Sequence, residues 1–234
     1  MRTDQDFEKE YDIEENARYD PKTIETTPTL QLYSHPSTKE DEVIANPCKH
    51  FKTRAYKLDI IEKQRTIIYN VISEKMDTKT QDIDLYRTED LQYMVELYDQ
   101  LFLGGYFKRH KPITIKIVEQ SYSHPWVSAY SYYAHNNTSN RPNGQGIVMC
   151  RNYYRCTDRS QDSDRLCKDI LDCFMAILEH EMIHVVIGFG CRDKEYEISN
   201  KGEETAHGSL FHTLSANIFG HDTTHHAINT CKRR

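Results

Sequence analysis

Residues 180–184 read His180-Glu181-Met182-Ile183-His184, two imidazoles four positions apart with a carboxylate directly after the first. On a helix, positions i and i+4 share a face, so both rings can reach one metal ion. Glu181 then stands close enough to address a water at that ion without ligating the metal. Zinc lowers the pKa of such a water to ~7, so a carboxylate can take its proton at neutral pH. In a chain with 12 histidines, chance supplies roughly 0.05 such pentapeptides. The motif alone is therefore only suggestive, and its setting has to strengthen it.

That setting is apolar. Ile170, Leu171, Phe174, Ile177, Leu178, Met182, Ile183, Val185 and Val186 surround the helix on nearly every side, which predicts a central, buried element. Histidine and glutamate side chains without partners there would each cost on the order of 2 kcal/mol or more, and metal coordination meets that cost directly. Core histidines bonded to carbonyls would explain one buried ring but not this triplet. A catalytic zinc needs a third protein ligand and one open position. Gly190 stands six residues after His184, where a metzincin would carry histidine. Two candidates remain: His207, which opens His207-Gly208-Ser209-Leu210-Phe211, and Glu204, 20 residues after His184.

The elements that must position these residues can be read from periodicity. Leu58, Ile61, Ile68, Val71, Ile72 and Met76 recur at helical spacing within 55–76. Thr88, with Glu89 and Asp90 in the first turn, starts a second helix. Its face is Leu91, Met94, Val95, Tyr98, Leu101 and Phe102, and Gly104–Gly105 end it. Three strand-like runs follow, Ile113–Val118, Val127–Ala134 and Gly146–Cys150, with the polar Asn136–Gly144 stretch as a hairpin loop. A long apolar helix from about Lys168 to Ile187 should stop at Gly188 and Gly190. A last helix, about 208–219, turns Leu210, Phe211, Leu214, Ile218 and Phe219 inward and stops at Gly220. This order makes an α+β domain.

HEMIH at 180–184 followed by HGSLF at 207–211 resembles the SprT-like zinc metallopeptidases, the family that includes the DNA-dependent protease Spartan. Asp99-Gln100-Leu101-Phe102 with Gly104–Gly105 is similar to the family's first helix and turn, and the likeness spans about 88–226. It implies a zincin-like core with a small antiparallel sheet packed on helices and the HExxH motif on the central helix. It implies Zn2+ held by His180, His184 and His207, with Glu181 catalytic. It also implies protein substrates and a DNA partner, single-stranded or damaged. Two features depart from the animal members. The 22 residues between His184 and His207 make a longer loop, and a sequence ending at Arg234 predicts no long tail of ubiquitin- and clamp-binding motifs.

The whole chain sets the frame. At 234 residues it holds one ordinary domain plus appended sequence. Residues 1–45 carry 12 acids against 5 bases, so the net charge of −6 resides in the N-terminal segment. That segment, with Pro21, Pro28, Pro36 and Pro47, reads as a disordered tail over 1–50. An amphipathic helical extension over 51–85 and a metallopeptidase domain over 86–234 follow. The absence of an apolar N-terminal run predicts no secretion signal, and the absence of an 18-residue apolar stretch predicts no membrane span. Seven irregularly spaced cysteines predict reduced thiols and an intracellular protein, nuclear or cytoplasmic. His221, His225 and His226 read as a partly solvated helix end. Lys108, Arg109 and Lys111, and Arg151, Arg155, Arg159 and Arg165 with Tyr153 and Tyr154, read as mixed-charge surface, since Asp158, Asp162 and Asp164 offset the second group. The leading expectation is a zinc endopeptidase acting on DNA-associated or DNA-crosslinked proteins. The alternatives are a general intracellular zinc peptidase and a non-catalytic zinc-containing interaction module, against which Glu181 speaks.

Overall fold

The computed structural model describes residues 47–76, 82–110, 112–119, 129–133, 145–151, 167–191 and 207–221. All lie in one unit, Lys39–Arg234. The elements are α1 (Pro47–Thr53), α2 (Leu58–Lys75), α3 (Thr88–Phe102), α4 (Tyr106–His110), β1 (Thr114–Val118), β2 (Ala129–Tyr133), β3 (Gln145–Cys150), α5 (Ile170–Gly190) and α6 (Ser209–Phe219). The α+β expectation therefore stands, with a three-stranded sheet among helices.

The sheet differs from the expected antiparallel one. Its order is β1-β3-β2, with β3 antiparallel to β2 but parallel to β1. Hydrophobic alternation fixes which face of a strand is buried, not the direction of its neighbour, so sequence pattern could not decide this. The central strand is covered on both faces: Ile147, Val148, Met149 and Cys150 are all buried. At the edge, Gln92 of α3 serves β1, donating to the Ile113 carbonyl at 3.0 Å and accepting from the Ile115 N–H at 3.2 Å. β2, at the other side, lies along α5.

The stripe of α2 is Ile61, Arg65, Ile68 and Ile72, all buried, with a charged residue in a core position. Leu58, expected on that face, is 68% exposed. The residues expected as a helical extension thus share the core with α3 and α5. In α3, Leu91, Met94, Val95, Tyr98 and Phe102 are buried as expected. Gly104 and Gly105 adopt φ of 62° and 72° and turn the chain, which the absence of a Cβ makes inexpensive. They lead into α4, too short to announce itself by periodicity. Asp99 caps it, accepting the Phe107 and Lys108 N–H groups at 2.9 and 2.8 Å.

α5 is the central element. Asp169 caps the helix by accepting the Asp172 N–H at 2.9 Å, and Asp172 accepts the N–H of Lys168, the residue before the cap, at 3.0 Å. The helix continues through Gly188 to Gly190 rather than stopping near Ile187. An interior glycine costs only about 1 kcal/mol against alanine, and burial of Val185, Val186 and Ile187 outweighs that. Cys191, which follows, is disulfide-bonded, so the expectation of reduced thiols does not extend to it. No helix among the described residues is long and apolar enough to cross a membrane.

Candidate metal centre

His180 and His184 project from one face of α5, and His207 stands just ahead of the N-cap of α6, Gly208. The three Nε2 atoms form a nearly equilateral triangle: 3.3 Å between His180 and His184, 3.2 Å between His184 and His207, and 3.0 Å between His207 and His180. They meet the geometric requirement for holding one ion. A tetrahedral ion at about 2.0–2.1 Å from three imidazole nitrogens separates them by about 3.3 Å, so the triangle has the size zinc requires. Phe211, in the first turn of α6, lies against all three rings, with centroid distances of 4.8, 4.6 and 4.7 Å to His180, His184 and His207. It acts as the packing surface on which they converge.

Protonation suits ligation. Burial, aided by the neighbouring His207, lowers the His184 pKa to about 4, so at neutral pH the ring keeps a lone pair to donate. Glu181 is buried beside the triangle, and burial pushes its carboxyl up to about 7 despite hydrogen bonds from the hydroxyl and backbone of Ser131 on β2. A carboxylate with such a pKa is poised to take a proton near neutral pH and to return it.

The structure brings together His180, Glu181, His184 and His207. Glu204, His225 and His226 lie outside the described residues, as do the hairpin loop and the N-terminal tail. His221 is not at a solvated helix end, as expected for the histidine cluster. Its side chain is 8% exposed and lies 2.7 Å from Oε2 of Glu179. The reason is the left-handed turn at Gly220, φ 67°, which folds the chain back over α6. Of the basic residues, Lys108 and Arg109 are exposed on α4. Arg151 is committed to the Tyr86 carbonyl at 2.6 Å and to Glu119 at 3.0 Å; the rest of its group lies outside the described residues.

Sequence reasoning missed Ser131, Arg65 and Glu179. Ser131 carried no signal, because its place beside Glu181 follows from the packing of β2 along α5. Arg65 did carry one: a charged residue at a core position of an apolar stripe. Glu179, a second charge within an apolar helix, carried the complementary one. Compared with protein-family models, with curated proteins and with solved structures, the chain finds no match.

Proposed function

We propose that the chain is a zinc-dependent endopeptidase with a zincin-like core of the SprT-like kind, in which His180, His184 and His207 hold the metal and Glu181 is the general base. The observation that carries this reading is the convergence of three imidazole nitrogens, 3.0–3.3 Å apart, beside a buried carboxylate. When bound, zinc supplies Lewis acidity toward a water nucleophile and the scissile carbonyl. Glu181 takes the proton of the attacking water on a carboxylate oxygen and delivers it to the departing amine nitrogen. Ser131 holds the Glu181 carboxylate in place. A site that served structure alone would gain nothing from a titratable carboxylate at this position.

A substrate class of DNA-associated or DNA-crosslinked proteins rests on the resemblance of HEMIH and HGSLF to the SprT-like family. Metal analysis combined with cleavage of an unstructured protein such as casein tests the whole reading. About one zinc per chain, cleavage abolished by a chelator and restored by zinc, and stimulation by single-stranded DNA are the expected results. Cleavage without stimulation would leave the peptidase and remove the DNA role. A folded chain that binds no zinc would remove both.

A further inference from the structure

Glu179 is fully buried one residue before His180, and the hydrolysis outlined above makes no use of it. Its carboxylate is surrounded by donors. Arg65 donates from Nε to Oε1 at 2.7 Å and from Nη2 to Oε2 at 2.5 Å. Tyr98 Oη donates to Oε1 at 2.7 Å, and His221 Nε2 donates to Oε2 at 2.7 Å. Arg65 Nη2 also donates to the Phe219 carbonyl at 2.5 Å.

These groups come from four elements. Arg65 is in the middle of α2, Tyr98 is on α3, Glu179 is on α5, and Phe219 and His221 are at the C-terminal end of α6. α5 carries two of the metal-site histidines, and the third precedes the first turn of α6. The two ligand-bearing helices are therefore pinned together at one point, and that point adjoins His180. A bidentate guanidinium–carboxylate pair fixes orientation as well as distance. Shared ligation needs such accuracy, because constellations of this kind work only within about 0.5 Å of their productive geometry. Stability alone is a poor explanation, since well-packed apolar replacements of buried ion pairs are often neutral or stabilising.

We propose that Arg65, Tyr98 and His221 are positioning residues that act through Glu179 to hold α5 and α6 in the register at which the three imidazoles converge. Arg65, on a helix outside the span of the family resemblance, thereby joins the metal-binding machinery, while its apolar neighbours on α2 serve only the core. The proposal rests on the metal-site reading above.

The test uses the full chain and measures zinc affinity by chelator competition, the visible spectrum of the Co2+-loaded protein, and the melting temperature of the metal-free protein. The double variant Arg65→Met with Glu179→Leu replaces the pair by apolar side chains; His221→Ala and Tyr98→Phe trim it singly. Ile68→Ala, a cavity on the same helix, is the control for destabilisation alone. The expected result is a ~10–100-fold loss of zinc affinity in the double variant. A smaller loss in the single variants and a shifted Co2+ spectrum should accompany it. Ile68→Ala should melt earlier while keeping its affinity and spectrum. If the double variant does not fold, the single variants decide. Unchanged affinity and spectrum in the folded variants overturn the positioning role while leaving the metal site. A wild-type chain that binds neither zinc nor cobalt overturns the metal reading and the positioning role with it.

Discussion

At the scale of single residues, Glu181 and the histidines should fail in different ways. Glu181→Gln keeps the size and most of the hydrogen-bonding shape but removes the proton acceptor. Zinc content and melting should change little, and cleavage should fall by ~10² or more. A variant that binds zinc, folds and still cleaves at near-normal rate would remove the general-base role. His207→Ala should instead release most of the zinc, while Glu204→Ala should retain it; metal analysis showing the reverse would move the third ligand. His180, Glu181 and His184 were legible because one helix fixes their geometry. His207 was one of two candidates until HGSLF was set beside HEMIH, since nothing local to residue 207 says how the chain returns to α5.

At the scale of elements, turns and caps carry the testable energetics. Gly220 has φ +67°, and a Cβ there would lie 3.0 Å from Leu58 Cδ2 and 3.2 Å from Ile61 Cδ1. Gly220→Ala should therefore cost about 1–2 kcal/mol or more from the left-handed backbone, read as a lower melting temperature. Asp99→Ala removes both acceptors of the α4 N–H groups and should cost about 1–3 kcal/mol; Asp99→Asn, keeping one acceptor oxygen, should cost less. Burial raises the Asp99 pKa above its ordinary value, against the backbone donors that lower it. The native state therefore holds the proton more tightly than the unfolded chain does. This contribution is fully present below about pH 3.9 and is lost as pH rises through the native pKa. The advantage of the wild type over Asp99→Asn should be greatest at the acid end and shrink as pH rises; an advantage growing with pH would contradict the shift. The helix faces of α3 and α6 were readable because burial repeats with the helical period. The parallel pairing of β1 with β3 was not, because strand direction depends on connections that leave no periodic trace. The end of α5 was misplaced because packing overrode the local preference of glycine.

At the scale of the whole molecule, the question is where the folded unit begins. Composition sets the acidic, proline-punctuated N-terminal segment apart and suggested a boundary at 50, yet α1 runs from Pro47 to Thr53 across that point. Charge and proline content report what a segment cannot bury, but not which short flanking helix finds a partner. α1 finds one in α6. Phe51 is buried, the Asn217 side chain donates to the Phe51 and Lys52 carbonyls at 3.3 and 3.1 Å, and the Tyr56 N–H donates to the Asn217 carbonyl at 2.8 Å. Tyr56 Oη also donates to the Phe102 carbonyl at 2.7 Å, tying the segment to α3. Removing residues 1–46 should therefore leave melting temperature, zinc content and cleavage near those of the full chain. Removing residues 1–57 takes away a buried phenylalanine, worth about 3–5 kcal/mol by the cost of truncating such side chains, together with these hydrogen bonds. For a chain of this size about 1 kcal/mol shifts melting by ~2–4 °C, so the longer deletion should melt on the order of 10 °C lower. Zinc affinity measured well below that temperature separates loss of packing from loss of the site. Equal melting of the two truncated chains would show that α1 contributes nothing to the core. A large drop already on removing residues 1–46 would show that the acidic segment docks on the folded unit.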